Sequence, residues 1–172
     1  MMFAIANIGE MMVKGLAWMS AALFLVGLAG KIVSARNPQK ANAGRACWLM
    51  GSIVFLVHVL MAMGGFFAWS FETAQEVAAL NTFDFIKVRS GVVIYANFFF
   101  TLLWLADALW WRLGMASYRQ RPVWLALFIN GFLGVMVFGG CVVLVVNPLR
   151  WVILAGFMGV AALALKTRPT HS

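Results

Sequence analysis

The sequence predicts an all-α fold, a polytopic membrane helix bundle of five spans. Five apolar runs recur along the chain, nine of its thirteen Lys and Arg residues gather after the first, third and fifth runs, and tryptophans mark the run ends. The composition agrees: 64% of residues are hydrophobic and 10% charged, and the mean hydropathy is +0.93. A soluble domain carries about a quarter charged residues. About 20 residues of helix cross a hydrocarbon core of about 30 Å, and backbone amides in lipid must find their partners within such a segment.

The first span covers residues 15–30. A cleavable signal places its positive residues before the apolar stretch, but here Lys14 stands alone ahead of it and Lys31, Arg36, Lys40 and Arg45 follow. Such a run is retained as an anchor. Residues 1–13 are apolar with Glu10 as their single charge, which suits a short interfacial helix on the outer surface or a frayed terminus. The second span covers 46–69. A short outer amphipathic helix over 70–81 follows, with Thr73 and Glu76 at capping-box spacing and Asn81 as its terminator. Residues through Phe83 and Phe85 then fold back onto the bundle.

The third span covers 91–111 and the fourth 122–146. The fifth, 151–165, is short at about 22 Å of helix, so it needs residues 148–150 or a locally thinned bilayer to cross. Without it the bundle has four spans. Loop charge favours five. Lys31, Arg36, Lys40 and Arg45 occupy the first loop, and Arg112, Arg119 and Arg121 the third, so the positive-inside rule places both in the cytoplasm. The intervening segment carries Glu72, Glu76 and Asp84 against Lys87 and Arg89, as suits the outer face. Five spans bring Lys166 and Arg168 inside as well and put the amino terminus outside, leaving Lys14 and Arg150 as isolated outer exceptions. Trp48, Trp110, Trp111 and Trp124 mark the inner boundary, and Trp18, Trp69 and Trp151 the outer one. Trp104 lies outside both belts and packs between helices, where its indole N–H needs a partner. The chain shows no internal repeat and no linker, so residues 1–172 form one membrane domain.

Polar groups inside the spans are few. His58 lies near the middle of the second run, where a titratable group is costly and counts as a functional candidate. It suits a haem or copper ligand, a proton relay, or a hydrogen bond to a quinone; the plain alternative is a neutral ring bonded to Ser or Thr on another helix. Met61, Met63 and Met136 are available as second haem ligands, whereas His171, the other histidine, lies in the terminal tail. Asp107 is the single acid within an apolar run. The i,i+5 spacing of Arg112 is poor for pairing, Trp104 at i−3 can offer its N–H, and Asn130 from the fourth span is the first choice of interhelical partner. Asn97 and Thr101 share one face of the third span, and depth matching groups them with His58 and Ser20. His58, Asn97, Thr101, Asp107 and Asn130 are therefore the intramembrane polar network, with anchoring and a proton or cation pathway as its two readings.

Gly131, Gly134, Gly139 and Gly140, with Ala155 and Gly159, predict close approach of the fourth and fifth spans, or a face turned to a cofactor or partner subunit. Cys47 and Cys141 fall near opposite membrane faces, too far apart for a disulfide, and neither has metal-site spacing. The +8 charge does not imply nucleic acid, because topology and anionic lipid account for it. No phosphate loop, nucleophile elbow or zinc-protease motif is present in the sequence, and no catalytic residue or metal site is assigned. Residues 95–111, with Asn97, Thr101, Trp104, Asp107 and Trp110 among Phe, Leu and Ala, resemble segments of small bacterial membrane proteins, and the resemblance implies a bacterial inner membrane. The expected function is a small non-catalytic or accessory subunit of an inner-membrane complex, in contact with lipid and with other subunits or further copies of itself. A redox subunit holding haem or quinone at His58 and a small transporter or proton channel are the alternatives.

Overall fold

The computed structural model describes residues 2–36, 41–144 and 147–166. Five helices in it are long and apolar enough to cross a membrane. They belong to α1 (Met2–Arg36), α2 (Ala41–Gly65), α4 (Val93–Leu113), α6 (Val123–Phe138, prolonged by a π-helical turn over Gly139–Val143) and α7 (Leu149–Lys166). The short helix α3 (Phe71–Ile86) links α2 to α4, and the single turn α5 (Met115–Arg119) links α4 to α6. Successive spans alternate in direction, so one end of the bundle carries Lys31, Arg45 and α5, and the other carries α3. We call these the basic end and the α3 end.

Several boundaries differ from those the sequence suggests, each for a local reason. Residues 2–13 do not form a separate interfacial helix; they continue into the span as one helix. No helix breaker stands between them, and a Lys14–Glu10 ion pair of 2.5 Å at i,i+4 spacing supports the join. The second span begins at Ala41 rather than 46, with Arg45 inside it, its guanidinium turned to Asn42 and to the Met115 sulfur. It ends at Gly65, because Ala68 and Trp69 adopt left-handed φ values of 45° and 61° and turn the chain. The Trp69 ring then lies against Gly64, 3.2 Å from where a Cβ would stand.

In α3 the cap is Ser70, whose hydroxyl accepts the Thr73 amide at 3.2 Å, so the predicted Thr73–Glu76 capping box does not form. Asn81 does not end the helix, which runs five residues further to a left-handed Lys87 cap. The fifth span starts at Leu149, whose amide is accepted by the Asn147 side chain at 2.9 Å. Taking in Arg150 lengthens it to 18 residues, about 27 Å. Arg36 belongs to α1, but its side chain lies outside the described residues, as do Lys40, Arg168 and His171.

The closest helix pair is α1 with α2. Gly30 and Gly44 meet backbone to backbone, a Cβ on Gly27 would stand 2.8 Å from the Trp48 ring, and one on Gly51 would stand 2.8 Å from Trp104. Glycine is required here because the facing atoms are backbone or large rings with no free volume. Gly131, Gly134, Gly139, Gly140 and Gly159 do not sit at a helix contact, since a Cβ at each would meet nothing within 4 Å; the end of the fourth span meets α7 instead through side chains such as Phe138 and Phe157, whose ring centroids are 5.6 Å apart. The core is aromatic. Phe24, Trp48, Phe100 and Trp104 are buried at 0–2% exposure, with Trp48 and Trp104 edge to face at 5.6 Å between ring centroids.

Candidate functional site

Asp107, on the fifteenth residue of α4, has a side chain with no exposed surface. Buried carboxylates are tolerated when paired and hydrogen-bonded, and among the described residues four donors converge on this one. Its Oδ2 accepts from Lys31 Nζ at 2.6 Å, Trp48 Nε1 at 2.8 Å and the Tyr118 hydroxyl at 3.2 Å; its Oδ1 accepts from Arg121 Nη1 at 2.8 Å. The Lys31 and Arg121 side chains are themselves 9% and 8% exposed. Lys31 also donates to Asn130 Oδ1 at 2.9 Å, and the Asn130 amide is oriented by donating to the Ala126 carbonyl at 2.7 Å.

Aromatic rings complete the cluster. Lys31 Nζ lies 3.6 Å from the Trp48 ring centroid, so this indole offers its electron-rich face to the cation and its N–H edge to the carboxylate. The Arg121 guanidinium lies 3.8 Å from the Tyr118 ring, and Tyr118 stacks on Trp111 at 5.7 Å. Burial, and next the negative charge of Asp107, push the Tyr118 phenol pKa well above its ordinary range, which keeps the hydroxyl a donor. Side chains from α1, α2, α4, α5, α6 and the turn before α6 are thereby joined at one carboxylate. With all three charged groups ionised the cluster carries one surplus positive charge.

This assembly differs from the predicted network. Asp107 and Asn130 are brought together, but through Lys31 rather than directly. Trp104 does not serve Asp107; its indole N–H is buried without a partner among the described residues, and Trp48, expected to mark the inner boundary, donates instead. Lys31 and Arg121, expected to serve as loop charges, point into the bundle. The observed helix ends explain the meeting: Lys31 lies five residues from the end of α1, Asp107 six from the end of α4, and Asn130 seven from the start of α6, all within about 7–11 Å of the basic end.

His58, Asn97 and Thr101 do not join this cluster, and among the described residues no side-chain hydrogen bond links them across helices. Thr101 donates to the Asn97 backbone carbonyl at 2.8 Å, and Ser20 to Ala17 in the same manner, so neither hydroxyl reaches across helices. His58 is bonded through Nδ1 to the Val13 carbonyl of α1 at 2.8 Å, rather than to a Ser or Thr. Because α2 starts early, His58 lies displaced from the helix middle toward the α3 end. There His58 and Asn97 are among the residues lining a cleft beneath α3. Cys47 and Cys141 are both free and half-buried. No protein-family model, curated protein or solved structure matches the chain.

Proposed function

We propose that the protein is a small non-catalytic subunit or accessory protein of a larger assembly in a bacterial inner membrane, its basic end in the cytoplasm and its amino terminus outside. The observation that carries this reading is the outward placement of small residues on the last two spans. Gly131, Gly134 and Gly159 face open space, and Ile153 is the one buried residue among those described in α7. In lipid, helices associate through small residues that let backbones approach, since lipid tails offer no hydrophobic drive. Within the bundle α1 and α2 already use their glycines in this way. The small-residue face of α6 and α7 is left for another membrane helix, from a different subunit or a second copy.

The Asp107 cluster supports the same reading over a conduction pathway. Its carboxylate is enclosed and accepts from side chains on several elements, an arrangement that fixes helix positions. Orientation rests on the basic residues gathered at one end. The test is isolation from native membranes in mild detergent with crosslinking, comparing the wild type with a Gly131→Leu/Gly134→Leu variant. The expected result is a companion chain or dimer lost in a variant whose thermal unfolding is unchanged. A monodisperse monomer with no crosslinked neighbour would overturn the proposal.

A further inference from the structure

The cleft beneath α3 has a volume of about 710 Å³ and is walled by α2, α3, α4 and Leu144. Val59, Met63, Val77, Val93 and Phe98 make most of its surface apolar, while His58, Asn81, Asn97 and Asp84 supply polar groups along it. This volume is within the range of small-molecule pockets, which combine apolar walls with a few placed polar atoms. α3, with Glu72, Glu76 and Asp84, is not among the spans, so the cleft lies at the α3 end of the bundle, beside the ends of α2 and α4.

The chemistry of an occupant follows from His58. Val13 offers a carbonyl, which only accepts, so Nδ1 carries the proton of that 2.8 Å bond. Among the described residues no carboxylate pairs with the ring, and an unpaired imidazolium in this setting is costly. The ring is therefore the neutral Nδ1–H tautomer, and Nε2 is an acceptor with no partner among the described residues. An acceptor does not recognise a quinone carbonyl or any other acceptor. It recognises a hydroxyl. The Asp84 carboxylate at the same cleft likewise favours donors, and among the described residues no Lys or Arg lines it to hold an anionic head group or the propionates of a haem.

We propose that this cleft binds an amphiphile whose head group carries a hydroxyl, donated to His58 Nε2, with the tail along the apolar wall of α2 and α4. This inference is independent of the subunit reading above. A phenolic or hydroquinone-type membrane molecule and a glyceride both offer that chemistry. The test places the protein in lipid nanodiscs and measures binding of 4-dodecylphenol and of 4-dodecylanisole, which differs in having its hydroxyl proton replaced by methyl. The phenol should bind about tenfold more tightly, the effect of one good hydrogen bond to a buried acceptor, and His58→Phe should abolish the difference. Equal affinity of the two probes, no binding of either, or a preference that survives His58→Phe would overturn the proposal. The probe pair on the unaltered protein remains decisive if the variant does not fold. Monododecanoylglycerol provides the second arm: with the same His58 dependence, tighter binding than the phenol assigns a glyceride, and weaker binding a phenolic head. A Soret band in the purified protein that shifts on His58→Phe would replace the amphiphile by haem.

Discussion

The two ends of the bundle treat polar groups in opposite ways. At the basic end one carboxylate collects four donors, and its two cationic partners lie against aromatic rings, with little surface exposed. At the α3 end His58, which lines an open cleft, spends one ring nitrogen on a backbone carbonyl and leaves the other without a partner among the described residues. Convergence makes the first region a fixed joint between helices, since moving α1, α4 or the turn carrying Arg121 strands a charge and moving α2, α5 or α6 breaks a hydrogen bond to one. Incomplete pairing makes the second a place where an outside molecule can supply what the protein lacks.

The largest effect is expected from Asp107→Ala, which leaves Lys31 and Arg121 buried without their anion. It should cost about 3–5 kcal/mol, read from unfolding in mixed micelles titrated with SDS; a loss under about 1 kcal/mol would show that the cluster is not a joint. The combined variant Asp107→Leu, Lys31→Met, Arg121→Met removes all three charges together and should recover about half of that loss. Full recovery is prevented because Trp48 and Tyr118 lose their acceptor. In the same assay Gly30→Val should cost about 1–3 kcal/mol through overpacking against Gly44, whereas Gly134→Val, facing open space, should change stability little. Equal effects at the two glycines would reverse the assignment of packed and open faces. Tyr118→Phe deletes the longest of the four bonds to Asp107 and should cost about 0.5–1.5 kcal/mol. His58→Phe, which loses one bond to Val13, should cost about 0.6 kcal/mol, a typical interhelical hydrogen bond in a membrane.

Part of the candidate site is legible in the amino-acid sequence. Asp107 stands out because acids are rare in apolar runs, and Asn130 follows from matched depth. Lys31 and Arg121 are hidden by their position at run ends, where long basic side chains ordinarily turn outward to head groups. The same ambiguity hides Trp48, because a belt tryptophan and a buried donor have the same residue type at the same depth. Sequence depth also misplaces His58, since the start of α2 depends on how Arg45 is accommodated. The glycines show the clearest contrast: both sets are plausible packing surfaces by spacing, yet Gly30 and Gly44 meet backbone while Gly131 and Gly134 meet nothing.

Five apolar runs, their lengths and the clustering of basic residues were determined by composition along the chain, because the need to satisfy backbone amides in lipid acts on each segment separately. Which helix faces meet, which cation reaches Asp107, and which ring nitrogen of His58 stays free were decided by tertiary structure. Those outcomes depend on the rotation of each helix about its own axis, and that rotation is set by contacts between segments distant in sequence.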